Sequence, residues 1–369
     1  MINLNRILIP GTAFILISLL FTARLKAQYV GLNKDELTKL ALLVKTDPEA
    51  KKIYTPLEVL AEAALRQTPN PVDTITSEGH LANDPKKIVT IKALADVRKI
   101  YALAYVYRIS QQALYLKKCI AYLLAWAQVN KSTGNPINDT KLDPLLEGYD
   151  LIKEDMSRQD RDRINTWLVQ IADAQISNPR FLSAKKSVNN NWNSHRIKIV
   201  ANIAYILDHK AYQKFIDSAI KSQVLKNLYP NGSGFDFEER DALHYHIYTL
   251  EPLLRAAMTI QRTGKGDYFH YKSPSGSSIQ NSVNFLLPYV TGEKIHREFV
   301  NSKVSFDKKR ADNKEATYKI GAAFKPASAL DVYIYASYFD PAYSFIIKKL
   351  LDSKDYYAEW ELLLNAVKT

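Results

Sequence analysis

The sequence predicts an all-α fold, an incomplete α/α barrel or toroid built from antiparallel helix pairs. Three observations carry this. Apolar residues recur at intervals of three and four through most of the chain, whereas the strict alternation of half-buried strands is scarce. The connections are short and rich in turn residues, so successive helices must fold back on one another. No fixed sequence period is present, which disfavours regular repeat solenoids and leaves helix pairs curving around a common core.

In chain order, helical spacing covers residues 35–45 and 56–66 before the turn chemistry of "QTPNPVDT" interrupts it. Residues 88–108 and 110–128 follow, the second carrying the single cysteine, Cys119, inside the apolar pattern "YLKKCIAYLLAWA". One cysteine allows no intrachain disulfide, and at that position it reads as a buried structural thiol. After "NKSTGNPINDT" come 158–176, 194–208 and 211–225, then "YPNGSGFD", then 240–262. "KSPSGSS" separates these from 327–338 and 355–367. None of the breaks is long or biased enough to serve as a domain linker, so residues 28–369 are expected to form one toroid domain.

A 47% hydrophobic composition over 369 residues supplies a sizeable core and argues against general disorder. The net charge of +12 favours a polyanionic partner. Arg6 precedes the uncharged stretch "ILIPGTAFILISLLFTA", and "RLKAQ" follows with Ala27 at a plausible cut, so residues 1–27 read as a signal peptide. Their removal takes away Arg6, Arg24 and Lys26 and no acid, which brings +12 to +9. The basic character therefore belongs to the mature chain, expected in the periplasm or outside the cell. Nucleic acid is then not the expected partner, nor is stable membrane insertion once the signal is removed. An acidic polysaccharide is.

Two stretches are chemically unusual. "SVNNNWNSHRIKIV" gathers asparagines, a Trp and a His at the head of an apolar helix, although Asn competes for the backbone and marks loops and caps. "GSGFDFEERDALHYHIYTLEPLLRAA" places Arg240, His244 and Tyr248 at i, i+4 and i+8 if a helix begins near Glu238, with Asp241 and Tyr245 close to the same stripe. That face is too polar for an ordinary core and too aromatic for an ordinary solvent face.

"RDALHYHIYTLEPL" resembles the pattern Arg-Ala-Leu-x-Tyr-His-x-Tyr-Ala-Leu-x-Pro-Leu of the family-5 alginate lyases, and "NNNWNSH" resembles the Asn-Asn-His segment that precedes it in that superfamily. "TGNPINDTKLDPLLEGYDLI" and "KPASALDVYIYASYFDPAY" are similar to further segments of the wider superfamily, including polysaccharide lyase family 38. The resemblance implies a helical toroid, β-elimination on a uronic-acid polymer such as mannuronate-rich alginate or glucuronan, and no required cofactor. It makes Tyr248 the catalytic acid and, for mannuronate, a candidate base as well. His195 matches the active-site histidine and Asn191 the carboxylate-binding amide, with Asn190 and Asn193 as alternatives. The family's arginine stands seven residues before the tyrosine, where this chain has Asp241; Arg240 is one residue earlier. If Arg240 does not serve, Lys92, Arg98 and Arg196 are the other bases considered.

The chemistry explains the residue types. Removing a proton next to a carboxylate creates an enolate-like charge that amides, imidazole and cations stabilise, while Tyr and His can move the protons. Tyr245, His244 and His246 are candidates for holding sugar, as are Trp192 and Tyr149 for stacking and Asn135 and Asn138 for hydrogen bonding. His80, in "TSEGHLANDP", is placed on a candidate lid loop. No HExxH, CxxC or Asp-rich calcium loop is present, so no metal is indicated. Two other classes stay open: a glycoside hydrolase drawing on Asp236, Glu238, Glu239 and Asp241, and a non-catalytic binder of acidic glycans.

Overall fold

The computed structural model describes residues 30–182, 188–351 and 356–368; the expected signal peptide, residues 1–27, lies outside them. The helices are α1 (Lys34–Thr46), α2 (Pro48–Leu65), α3 (Pro85–Ser110), α4 (Ala113–Val129), α5 (Pro136–Asp139), α6 (Asp143–Ile152), α7 (Arg158–Ser177), α8 (Pro179–Leu182) and α9 (Asn191–Ile206). They continue as α10 (Lys210–Asn227), α11 (Phe235–Arg240), α12 (Leu243–Arg262), α13 (Ile279–Phe285), α14 (Leu287–Thr291), α15 (Ser305–Asp312), α16 (Leu330–Phe339), α17 (Ser344–Leu350) and α18 (Tyr356–Val367). Among the described residues, β pairing is confined to two isolated bridges, Leu228 with Gly234 and Arg297 with Ala323.

Packing runs around a ring. α2 and α6 flank α3, α6 also meets α9, α9 packs on α12, and α12 packs on α16. α18 then returns to α16, α1 and α2, so the last helix closes against the first. A buried ion pair between Glu36 of α1 and Arg262 of α12 ties the ring across the chain. The expected toroid is the observed architecture.

Local chemistry sets the helix starts. Asn33 and Glu36 form a capping box on α1, satisfying N–H groups that have no partner within the helix. Asp47 and Asp84 cap α2 and α3, each followed by a proline whose missing N–H costs nothing in the first turn. Consequently α2 begins at Pro48, earlier than the expected 56, and runs through Pro56. Gln111 adopts φ 58°, which breaks the near-continuous apolar run into α3 and α4. Cys119 is buried and free, as its setting implies.

Two helices position the site. Every residue of α9 except Trp192 is buried, so its polar side chains need internal partners. Asn193 donates to Gln223 at 2.8 Å, Asn202 to Asp143 at 2.7 Å, and Arg196 to the Gln175 carbonyl at 2.9 Å. α12 begins at Leu243, not in the stretch before it, because Asp241 takes up the left-handed conformation at φ 48°. Its first N–H groups are capped from a distance: the Glu298 carboxylate accepts from Leu243 and His244, each at 3.1 Å.

Candidate active site

A cavity of about 250 Å³ lies where the loop before α3, the turn before α6, the start of α9, the α11–α12 corner and α15 meet. Asn191, Trp192, His244, Tyr245 and Tyr248 line it together with Glu78 and four cations: Lys87, Lys141, Arg240 and Arg310. Four positive side chains around one carboxylate make a strongly attractive field for an anion.

Tyr248 forms part of the wall, and His195 lies behind it. The two rings are 4.3 Å apart with their planes at 50°. His195 is 4% exposed; Nδ1 meets Thr140 Oγ1 at 2.9 Å, and the buried Nε2 has no hydrogen-bond partner. Burial, then the fields of Lys198 and Lys141, hold its pKa well below the usual 6.5, so the ring is neutral at neutral pH. For Tyr248, burial pushes the phenol pKa up, with Tyr318 and Glu251 adding to it. A neutral imidazole against a protonated phenol is a pair suited to moving one proton.

The other lining groups are mostly committed. Asn191 donates one amide hydrogen to Asp236 at 2.5 Å, while Asn227 and Thr249 hold the other carboxylate oxygen. Arg240 is ion-paired with Asp307 and lies 3.8 Å over the Tyr245 ring. Arg310 donates to the Tyr245 hydroxyl at 2.8 Å and covers Phe306 and Tyr318. His244 is lowered to about 4 by burial and by Arg310 and Arg240. Among the described residues no group of three or more His, Cys, Asp or Glu is placed to hold a metal ion.

A family model described as "Alginate lyase" matches residues 44–296. The chain belongs to the alginate lyase family. As a member of that family it is a polysaccharide lyase. Among solved structures, an alginate lyase from Bacteroides ovatus superposes with TM-score 0.67 at 15% identity, over 91% of this chain and 98% of the other. Alginate lyase A1-III from Sphingomonas species A1 gives 0.58 at 17% identity, over 86% and 89%. A variant of A1-III complexed with tetrasaccharide gives 0.55 at 18% identity, over 73% and 79%. At these identities the likeness is one of fold. No curated protein sequence matches the chain.

Within this alginate lyase fold, the sequence candidates divide. Asn191, Trp192, Arg240, His244, Tyr245 and Tyr248 share the cavity wall, with His195 directly behind. Arg240 arrives from α11 and not from the face of α12, since the chain breaks at Asp241. Asn190 is the N-cap of α9, accepting from the Trp192 N–H at 3.0 Å. Asn193 is turned to Gln223, and buried His246 to the Ser282 carbonyl at 2.9 Å between Phe237 and Phe285. Tyr149 is fully buried against Asn165. Asn138 accepts from the backbone N–H groups of Ser77 and Glu78, and Asn135 reaches Glu78 at 3.3 Å, so both fix the loop that borders the cavity. His80 pairs with Asp84 at 2.7 Å outside the lining.

The bases considered beside Arg240 lie elsewhere. Lys92 is exposed on α3, Arg98 borders a second cavity, and Arg196 is buried between Phe181 and Phe215. The four acids that a hydrolase would draw on do not line the cavity: Asp236 is saturated by donors, Glu238 accepts from Ser233, and Asp241 from Asn301. Sequence reading missed Glu78, Lys87, Lys141, Arg310 and Tyr318. Two of them carried a signal: Lys141 stands inside "TGNPINDTKLDPLLEGYDLI" and Glu78 inside "TSEGHLANDP".

Proposed function

We propose that this lyase is exported and cleaves mannuronate-rich alginate, or glucuronan, by β-elimination at the cavity around Tyr248. The observation that carries this reading is the contact of the His195 and Tyr248 rings, 4.3 Å apart on adjacent helices, below a cavity with four cations. Because the two proton-moving groups sit side by side, a proton is taken and returned on the same face of the sugar. Mannuronate and glucuronate share their configuration at C4 and C5, where H5 and O4 lie on one face; guluronate is inverted at C5.

In the proposed reaction Tyr248 meets the sugar and His195 backs it. The C5–H bond breaks and the pair takes that proton; the C4–O4 bond breaks, a C4–C5 double bond forms, and the pair delivers a proton to O4. One proton enters and one leaves, so the pair ends as it began. Burial keeps the phenol protonated between turnovers, and an incoming carboxylate raises the imidazole pKa, which prepares it to share a proton. Amide and cationic donors around the cavity offset the charge that develops on the uronate. The A1-III complex with tetrasaccharide is a precedent for oligosaccharide binding in this fold.

Product analysis tests the reaction. Mass spectrometry and NMR of digested polymannuronate or glucuronan are expected to show oligosaccharides with an unsaturated uronate at the new end. Saturated products would rule elimination out. Export is tested by fractionating cells that produce the full chain: accumulation in the cytoplasm with residues 1–27 retained would overturn it.

A further inference from the structure

We propose that Lys141 is the cation that receives the carboxylate of the uronate unit being cleaved. The inference rests on the lyase reading above and names a residue that neither the motifs nor the expected arginine identified. Its warrant is a comparison among the cavity's four cations. Lys87 donates to the His80 carbonyl at 3.0 Å, Arg240 is ion-paired with Asp307, and Arg310 is held by Tyr245. Lys141 has no hydrogen bond or ion pair among the described residues and is exposed to the cavity it lines.

Its placement suits the chemistry. Lys141 lies in the short 3₁₀ turn Thr140–Leu142, next to the threonine that bonds His195. Its charge is felt at the imidazole, so it stands near the proton-moving pair. When C5 loses its proton, negative charge flows onto the neighbouring carboxylate. A free ammonium stabilises that charge better than an amide already sharing a hydrogen with Asp236.

Lys141 is also electrostatically poised. Although its side chain reaches solvent through the cavity, the protein mass around the cavity removes water from it; this desolvation, then Lys198 on α9 and Lys87 on α3, lower its pKa, and Glu251 on α12 acts in the opposite direction. Lys198 is itself paired with Asp143 at 2.9 Å, and the Glu78 carboxylate faces the same cavity from its loop. The ammonium is present below its lowered pKa and lost as pH rises through it, so the alkaline limb of kcat/KM should report Lys141.

The test compares wild type, Lys141→Met, Lys141→Arg and Lys92→Met on whichever uronate polymer the wild type cleaves, with circular dichroism as a check on folding. Lys141→Met is expected to lose about 10²–10³ in kcat, the range typical of losing one transition-state donor. Lys141→Arg should recover part of that and carry the alkaline limb to higher pH, because guanidinium stays charged. Lys92→Met removes the same net charge from an exposed site and should leave kcat unchanged. If Lys141→Met fails to fold, the Lys141→Arg limb decides. An active wild type with an unimpaired Lys141→Met, or an unmoved limb in Lys141→Arg, overturns this proposal alone; an inactive wild type on every uronate polymer overturns the lyase reading with it.

Discussion

α12 runs past two cavities of nearly equal size, about 250 Å³ around Tyr248 near its start and about 230 Å³ around Arg255 farther along. Both contain arginines, tyrosines and carboxylates. The first has four cations against Glu78; the second has Glu147, Asp331 and Glu361 against Arg98 and Arg255. In the second, Arg255 bonds Asp143 at 3.1 Å, the Tyr335 hydroxyl at 3.0 Å and Glu147 at 3.4 Å, and Trp360 donates to Tyr101 at 3.0 Å. In the first, the Lys141 ammonium has no hydrogen bond or ion pair among the described residues. Size does not separate a site from a joint between helices; unspent polar groups do.

The largest loss of activity is expected at Tyr248. Tyr248→Phe keeps the ring and removes the proton, so kcat should fall about 10²–10⁴-fold with KM little changed. A variant within threefold of wild type would remove the phenol from the mechanism. The matching change in the second cavity should do the reverse. Arg255→Met leaves buried Glu147 without its ion pair and buried Asp143 with Lys198 alone, which is expected to cost about 3 kcal/mol in a denaturant titration. Turnover per folded molecule should stay nearly unchanged.

Two smaller effects are expected in the pH dependence. Because burial, Lys198 and Lys141 depress the His195 pKa, the neutral ring persists as acid is added, and kcat/KM should not fall around the usual 6.5 but only well below it. A midpoint at 6.5 would mean the imidazole is not held as described. Glu251, between the cavities on α12, is raised from 4.5 to about 7, chiefly by burial and then by Asp331. Its folded pKa lies above the unfolded one, so the folded state loses stability as pH rises between those values. Glu251→Gln should therefore stabilise the protein by about 1 kcal/mol near pH 8 and change little near pH 4. Lost attraction to Lys198 and Arg255 limits the gain.

The ring of helices was legible because apolar spacing reports burial directly, and a helix that buries one stripe must meet a neighbour. α9 shows where that ends. Once a helix is buried on almost every side, spacing no longer says which polar residue faces a cavity and which faces a partner, so Asn191 and Asn193 look alike in sequence and part company in space. The start of α12 was displaced for another reason: its cap, Glu298, is 55 residues from Leu243. Arg310 and Tyr318 sit in a polar stretch that reads as solvent-facing surface, and only the fold brings them over His244 and Tyr245.

The most direct test of the central claim is ultraviolet absorbance of the unsaturated uronate while purified mature protein is offered polymannuronate, polyguluronate and glucuronan separately. A proton-moving pair on one wall predicts a rise with polymannuronate or glucuronan and none with polyguluronate. A rise with polyguluronate, or with none of the three, would contradict it.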